Sequence, residues 1–269
     1  MENHELKIFR GDSGRRRGTV SGLKSRNTDT ALVTVSGHGC PETTSIYLSR
    51  CFGNLLPKPA IALFMGLILI SSAVFGAKTL GPLDMTEEEV RTKEVAIGSL
   101  AADAIRASAK TDAAIIPAAA FKKASIPAGE VTSQMLIAAL TFPDDTISIL
   151  ELTGKDIIAA LEKSVSIFPQ KNLGFLQISG VEFSFDPALP SSKRVLSVKL
   201  GNKPLQDNVT YKVATSSSLA NGALGYWRIW NKEQIRQKTN VTLGKAIESF
   251  LAATPTLDYR RTDRIIARG

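Results

Sequence analysis

Side chains able to do chemistry are few in this chain, and their placement limits what that chemistry can be. Asp144-Asp145, with Glu151 shortly after, comes closest to a carboxylate group that could divide acid and base work, which requires both members to face one cleft. The doublet falls between two apolar runs and reads as an exposed turn pair. Lys122-Lys123 could attract an anion, although lysine offers a point charge on a flexible stem and reads here as solvated loop surface. Tyr226 with Trp227 and Trp230 could stack on a planar ligand; two tryptophans at i, i+3 more commonly pack a short helix into a core or its rim. Asp103 and Arg106 have the spacing of a solvent-side pair on a helix.

The absences narrow the chemistry further. Both cysteines (Cys40, Cys51) and both histidines (His4, His38) precede an uncharged apolar run that begins at Pro59. Everything after that run lacks thiol and imidazole. This excludes from it a Cys or Ser-His nucleophilic centre, a His-rich zinc or di-metal site, and any disulfide. No G-x-S-x-G, G-x-x-x-x-G-K or G-x-G-x-x-G occurs, and the Ser21-x-x-Lys24 match sits in the leader. No catalytic residue, metal ligand or cofactor is therefore assigned. At 269 residues, with 43% hydrophobic and 22% charged residues, the composition is that of a globular protein of one large or two small domains. The net charge of +8 divides between the two parts: residues 1–58 hold nine Lys/Arg against five Asp/Glu. No basic stripe with interleaved aromatics appears beyond them, so nucleic-acid binding has little support.

The elements that must position these residues follow from periodicity. Ile147, Ile149, Leu150 and Leu152 form a β-type run, after which the spacing changes to Ile157, Ile158, Leu161 and Val165, one buried helix face. Thr153 is the expected N-cap, with Asp156 in the first turn facing the positive end of the helix dipole. A strand is expected at Phe175–Ile178, a turn at Ser179-Gly180, and a one-face-wet strand at Val181, Phe183 and Phe185. Upstream, Thr86 with Glu89 has capping-box spacing, predicting a helix that runs to about Lys110. Asp112–Ile116 reads as a strand closed by Pro117. Glu130–Leu140 reads as a helix capped by Thr132 or Ser133. Downstream, Val195–Leu200 and Thr210–Thr215 read as strands, Leu243, Ala246, Ile247, Phe250 and Leu251 as one face of a last helix, and Asp263–Ile266 as a short terminal strand.

Residues 1–57 are rich in Gly, Ser, Thr and Arg without sustained periodicity and read as a disordered basic leader, which a later translation start would omit. Residues 58–77 combine a positive flank, an apolar centre at Ala60–Ile70 and small residues at the exit, the three parts of a secretory signal. Cleavage near Ala73 or Ala77 would release the protein; without cleavage, residues 59–77 would anchor it in a membrane with the C-terminal side outside. The expected location is periplasmic or extracellular, with a folded domain over residues 84–269.

One combination is specific enough to carry a resemblance. ELTG (Glu151–Gly154) before an amphipathic helix, then FLQISG (Phe175–Gly180), then an aromatic strand ending in Phe185-Asp186-Pro187, resembles the C-terminal domain of the bacterial 5'-nucleotidase and UDP-sugar hydrolase family. IGSLAADAIR (Ile97–Arg106) and GNKPLQDNVTYKVAT (Gly201–Thr215) add to it, and the resemblance spans roughly residues 90–266. It implies an α+β fold, a mixed β-sheet with packed helices. The family's ligand-contacting positions are changed. Its Asn-Gly-Gly-Gly-Ile-Arg loop reads Pro117-Ala118-Ala119-Ala120-Phe121-Lys122, so Lys122 stands for the phosphate-holding arginine. Pro143 stands for a base-stacking phenylalanine, with Phe142 one position away, and Asp145 for an asparagine. Ser218 stands for the second stacking ring and Leu224 for an aspartate. In that family the metal-dependent hydrolysis belongs to a separate N-terminal metallophosphatase domain. The resemblance thus implies a binding or interaction module whose nucleotide site has diverged, or a hydrolase component working with a separately encoded metallophosphatase. The expected partners are that metallophosphatase or an envelope protein, and a small-molecule ligand.

Overall fold

The computed structural model describes residues 76–268; the basic leader and the apolar run through residue 75 lie outside the described residues. In chain order, the first half holds β1 (Gly76–Thr79), a 3-10 turn (Glu89–Arg91), α1 (Ala96–Ala109), β2 (Ala113–Pro117), a 3-10 turn (Ala118–Ala120), β3 (Gly129–Thr132), α2 (Ser133–Ala138), β4 (Thr146–Thr153) and α3 (Gly154–Ser164). There follow β5 (Leu176–Ser179), β6 (Val181–Phe185), β7 (Val195–Leu200), β8 (Lys203–Pro204), β9 (Thr210–Ser216) and α4 (Ser217–Ala220). After 3-10 turns at Ala223–Arg228 and Lys232–Gln234 come β10 (Ile235–Thr242), α5 (Leu243–Ala253), β11 (Thr256–Leu257) and β12 (Ile265–Ala267).

The central sheet has the order β10-β4-β9-β2-β5, with β2 and β9 parallel and the other pairs antiparallel. Every residue of β2 is buried, as a strand covered on both faces requires. On one face lies α3, whose Ile157, Ala160 and Leu161 meet Ile115, Leu152, Leu176 and Val213. Full burial of an Ile or Leu side chain contributes about 2 kcal/mol. The other face is covered by α1, where Gly98 admits Gln177 so closely that a Cβ would stand 2.5 Å from its Oε1. Two smaller sheets, β11-β1-β3 and β12-β6-β7-β8, complete the α+β architecture.

The periodicity around Thr153 is realised as expected. Thr153 Oγ1 accepts from Asp156 N at 3.3 Å, while Asp156 Oδ2 accepts from Thr153 N at 2.9 Å, a reciprocal capping box. Gly154 is required there by close approach: a Cβ would lie 2.2 Å from the Gln206 carbonyl oxygen.

Two expected helices are corrected. The Thr86/Glu89 box forms, with Glu89 N donating to Thr86 Oγ1 at 3.1 Å, but only a 3-10 turn follows and α1 starts afresh at Ala96. The buried side chain of Gln177 occupies the break, donating to the Val90 and Lys93 carbonyls at 3.2 and 2.9 Å and accepting from Val95 N at 3.0 Å. Those three backbone groups would otherwise be orphaned. In the segment expected as a helix over Glu130–Leu140, residues to Thr132 instead form β3, paired antiparallel with β1. Helix α2 then begins at Ser133, with Thr132 as its cap.

Among the described residues no helix is long and apolar enough to cross a membrane. Gly76 and Ala77, the last residues of the span read as signal or anchor, belong to β1, and Ala77 is buried opposite Val131. Cleavage after Ala77 would cut that strand; cleavage near Ala73 would leave it whole.

Candidate functional site

Because β2 and β9 run parallel, their carboxyl ends open at the same end of the sheet. Four loops meet there, and hydrogen bonds close them into a ring. The Ala118–Ala120 turn after β2 is bonded to the loop before β5, with Ala118 N donating to Phe175 O at 2.7 Å and Ala119 N to Leu173 O at 2.9 Å. It is bonded also to the loop before β4, where Thr141 N donates to Ala120 O at 2.8 Å. That loop in turn reaches α4, as Asp145 Oδ2 accepts from Ser218 N at 3.2 Å. Beyond α4, Leu224 stands by the loop before β5: a Cβ on Gly174 would lie 3.8 Å from its own.

Four of the five positions named from the sequence lie on these loops and the fifth, Ser218, on α4; Asp145 and Ser218 touch directly. Lys122 is exposed, and its backbone N–H donates to Ala139 O at 3.0 Å. Pro143 is half-buried at the second position of a turn closed by Asp145 N donating to Phe142 O at 3.2 Å, where a fixed φ suits proline. Its carbonyl accepts from Gly244 N at 2.9 Å. Ser218 is exposed. Leu224 is exposed and left-handed, at φ 57° and ψ 22°. Phe142 points out to solvent, 61% exposed.

The alanine turn explains what the lost glycines mean. No residue from Pro117 to Lys123 has positive φ, so alanine fits without strain. The amides of Ala118, Ala119, Phe121 and Lys122 all donate to carbonyls of the chain itself. A turn whose N–H groups are already bonded has no free cradle to offer an anion.

Other candidates separate. Glu151 pairs with Arg236 at 3.6 Å on the strand surface, while Asp145 is bonded to α4, so the carboxylates do not converge. Trp230 is buried and stacked on Tyr226, ring centroids 4.9 Å apart, whereas Trp227 is exposed with the Arg228 guanidinium 5.1 Å from its ring. Burial pushes the Tyr226 phenol well above its usual range, and it donates to Gly174 O at 2.7 Å. Among the described residues no three of His, Cys, Asp and Glu are grouped so as to hold a metal ion. A depression of about 370 Å³ along α3 is lined by Lys155, Lys163, Glu162 and Asp207, charges that offset one another.

Two polar groupings escape sequence reading. Ser217 Oγ lies 2.9 Å from Thr146 Oγ1 and 2.7 Å from Ser148 Oγ, beside the buried Thr215 hydroxyl, which has no partner among the described residues. Alternation of Thr146 and Ser148 along β4 was its only trace. The second corrects the solvent-side pair. Asp103 takes a bidentate contact from Arg264 at 3.0 and 2.8 Å, a hydrogen bond from Tyr259 OH at 2.8 Å, and one from Ser179 Oγ, which in turn accepts from Arg106 Nε at 2.7 Å. Glu94 anchors the same segment by accepting from Arg264 N at 2.7 Å and Ile265 N at 3.2 Å.

Comparison with known proteins places this geometry. The family model described as 5'-nucleotidase, C-terminal domain, matches residues 74–230. A 5'-nucleotidase of Diplobatis ommata is 30% identical over 205 residues, covering 67% of this chain and 35% of that protein. A trifunctional nucleotide phosphoesterase of Bacillus subtilis (strain 168) is 34% identical over 153 residues, 54% of this chain and 10% of that one. The chain thus spans about a third or less of the length of these relatives. Among solved structures, a 5'-nucleotidase precursor from Thermus thermophilus aligns with a TM-score of 0.65 at 25% identity, covering 78% of this chain and 42% of that one. The NAD nucleotidase of Haemophilus influenzae shares the fold, with a TM-score of 0.65 at 14% identity, covering 89% of this chain and 48% of that one.

Proposed function

Since the chain belongs to the 5'-nucleotidase C-terminal domain family, matched over more than half its length, we propose that it is an exported binding or interaction module of that type which does not hydrolyse phosphate esters by itself. The observation that carries this reading is the alanine turn, whose amides at residues 118, 119, 121 and 122 are all bonded within the chain. The neighbouring positions support it. Pro143 supplies no ring to stack, Asp145 already holds α4, and Leu224 supplies no carboxylate. The described residues also present no donor set for the metal that hydrolysis in this family uses, so no catalytic step is assigned to them.

A second reading is favoured by the relatives' names, which are those of nucleotide hydrolases: a nucleotide-catabolism component completed by a separately encoded metallophosphatase. One experiment separates the two. Purified protein mixed with AMP or UDP-glucose, with manganese or zinc, is expected to release no phosphate and to show no thermal shift. Saturable nucleotide binding without turnover would favour the second reading. Phosphate release by the protein alone would overturn both.

A further inference from the structure

The ring of loops has another property, independent of whether it once held a nucleotide. Nine large hydrophobic side chains are exposed among the described residues, and four of them, Phe142, Leu173, Leu224 and Trp227, lie beside the contacts that tie these loops together. Trp227 at 64% and Phe142 at 61% are the most exposed of the nine. Apolar residues scattered singly need no explanation, but a gathered set on cross-bonded loops does. These four cannot easily withdraw. Leu173 and Phe142 flank the hydrogen bonds to the alanine turn, Leu224 abuts Gly174, and Trp227 is packed so tightly on Gly222 that a Cβ there would lie 2.6 Å from its own.

Cations surround them. Arg228 lies over the Trp227 ring, Lys122 and Lys123 follow the alanine turn, and Lys171 and Lys232 lie on the loops before β5 and β10. Against these five, the same loops carry Asp144, Asp145 and Glu233, Asp145 with one oxygen already bonded to Ser218 N, while Lys171 is paired with Glu88. We propose that this face docks on an anionic phospholipid bilayer. Phe142 and Trp227 enter the interfacial layer, and Lys122, Lys123 and Arg228 face the headgroup phosphates. Tryptophan seats at headgroup depth because its ring is apolar and its N–H is not, and basic side chains nearby are drawn to the negative surface potential. A protein partner fits less well, because lysine is depleted at protein interfaces.

The test reads Trp227 itself, so that membrane contact made elsewhere in the chain does not count. In the full chain carrying Trp230→Phe, Trp227 is the sole indole, since the protein has two tryptophans. Vesicles of phosphatidylcholine and phosphatidylglycerol with brominated acyl chains should shift its emission to the blue and quench most of it. Pure phosphatidylcholine vesicles, or Lys122→Gln with Lys123→Gln, should weaken the quenching several-fold. If Trp230→Phe does not fold, the native chain compared with Trp227→Ser gives the same difference. Vesicle-bound protein whose Trp227 keeps the emission of an indole in water would overturn the proposal. So would emission already blue before lipid is added, which would mean that a second copy or another protein covers the face.

Discussion

Leu224 holds a backbone conformation that a branched-chain residue avoids. At φ 57° and ψ 22° it is left-handed, and Gly225 continues at φ 79°, so the chain turns there at the expense of about 1 kcal/mol for a residue with a Cβ. Its side chain is 37% exposed, so burial offsets that expense only in part. Leu224→Asn, which tolerates that region, should therefore stabilise the protein by about 1 kcal/mol, read as a higher denaturant midpoint at unchanged slope. Tyr259 makes a different prediction. Burial first, and then the Asp103 carboxylate it donates to, hold its phenol well above the ordinary value of about 10. The sign follows: the unfolded chain ionises first, so the stability Tyr259 contributes is complete below about pH 10 and falls by about 1.4 kcal/mol per pH unit above it. Tyr226, raised by burial, adds a second such slope. Tyr259→Phe should halve the alkaline fall in unfolding free energy. The Asp103 cluster was illegible in the sequence for a plain reason. Asp103 and Arg106 look like an ordinary surface pair until Arg264, which lies 161 positions away, is brought onto them.

Among the elements, those with strong local signals were legible. The ELTG strand and helix, with Thr153 and Asp156 as reciprocal caps, needed only periodicity and one capping rule. The break before α1 could not be read in that way. Its cause is one side chain on β5, and nothing near Val90 or Val95 announces it. Gln177→Ala should accordingly be far more damaging than a surface truncation. It leaves two carbonyls and one N–H without their partner in the core, a loss of about 3 kcal/mol or more by equilibrium unfolding. A loss under about 1 kcal/mol would mean that α1 does not depend on the break being filled. The candidate site was legible in part, because each of its residues lies on a loop or short helix that follows or precedes a recognisable strand. That the alanine turn uses its own amides was not, since the accepting carbonyls belong to Leu173, Phe175 and Ala139.

At the scale of the whole described body, its first strand and its last segments are sewn together. β11 pairs in parallel with β1, β12 adds in parallel to β6, and Arg264 joins the residues that open α1. Contacts of such sequence separation make folding slow, because distant segments must meet before they are rewarded. Removing residues 264–269 should cost the cooperative transition, seen as a broadened or missing thermal unfolding curve. The clamp of Glu94 and Asp103 on Arg264 also sets a timetable. Asp103 is made 161 positions before its arginine, so a nascent polypeptide stalled before Arg264 clears the ribosome should remain open to protease, and emergence of that arginine should close it. Any step that needs the polypeptide unfolded has that interval in which to act.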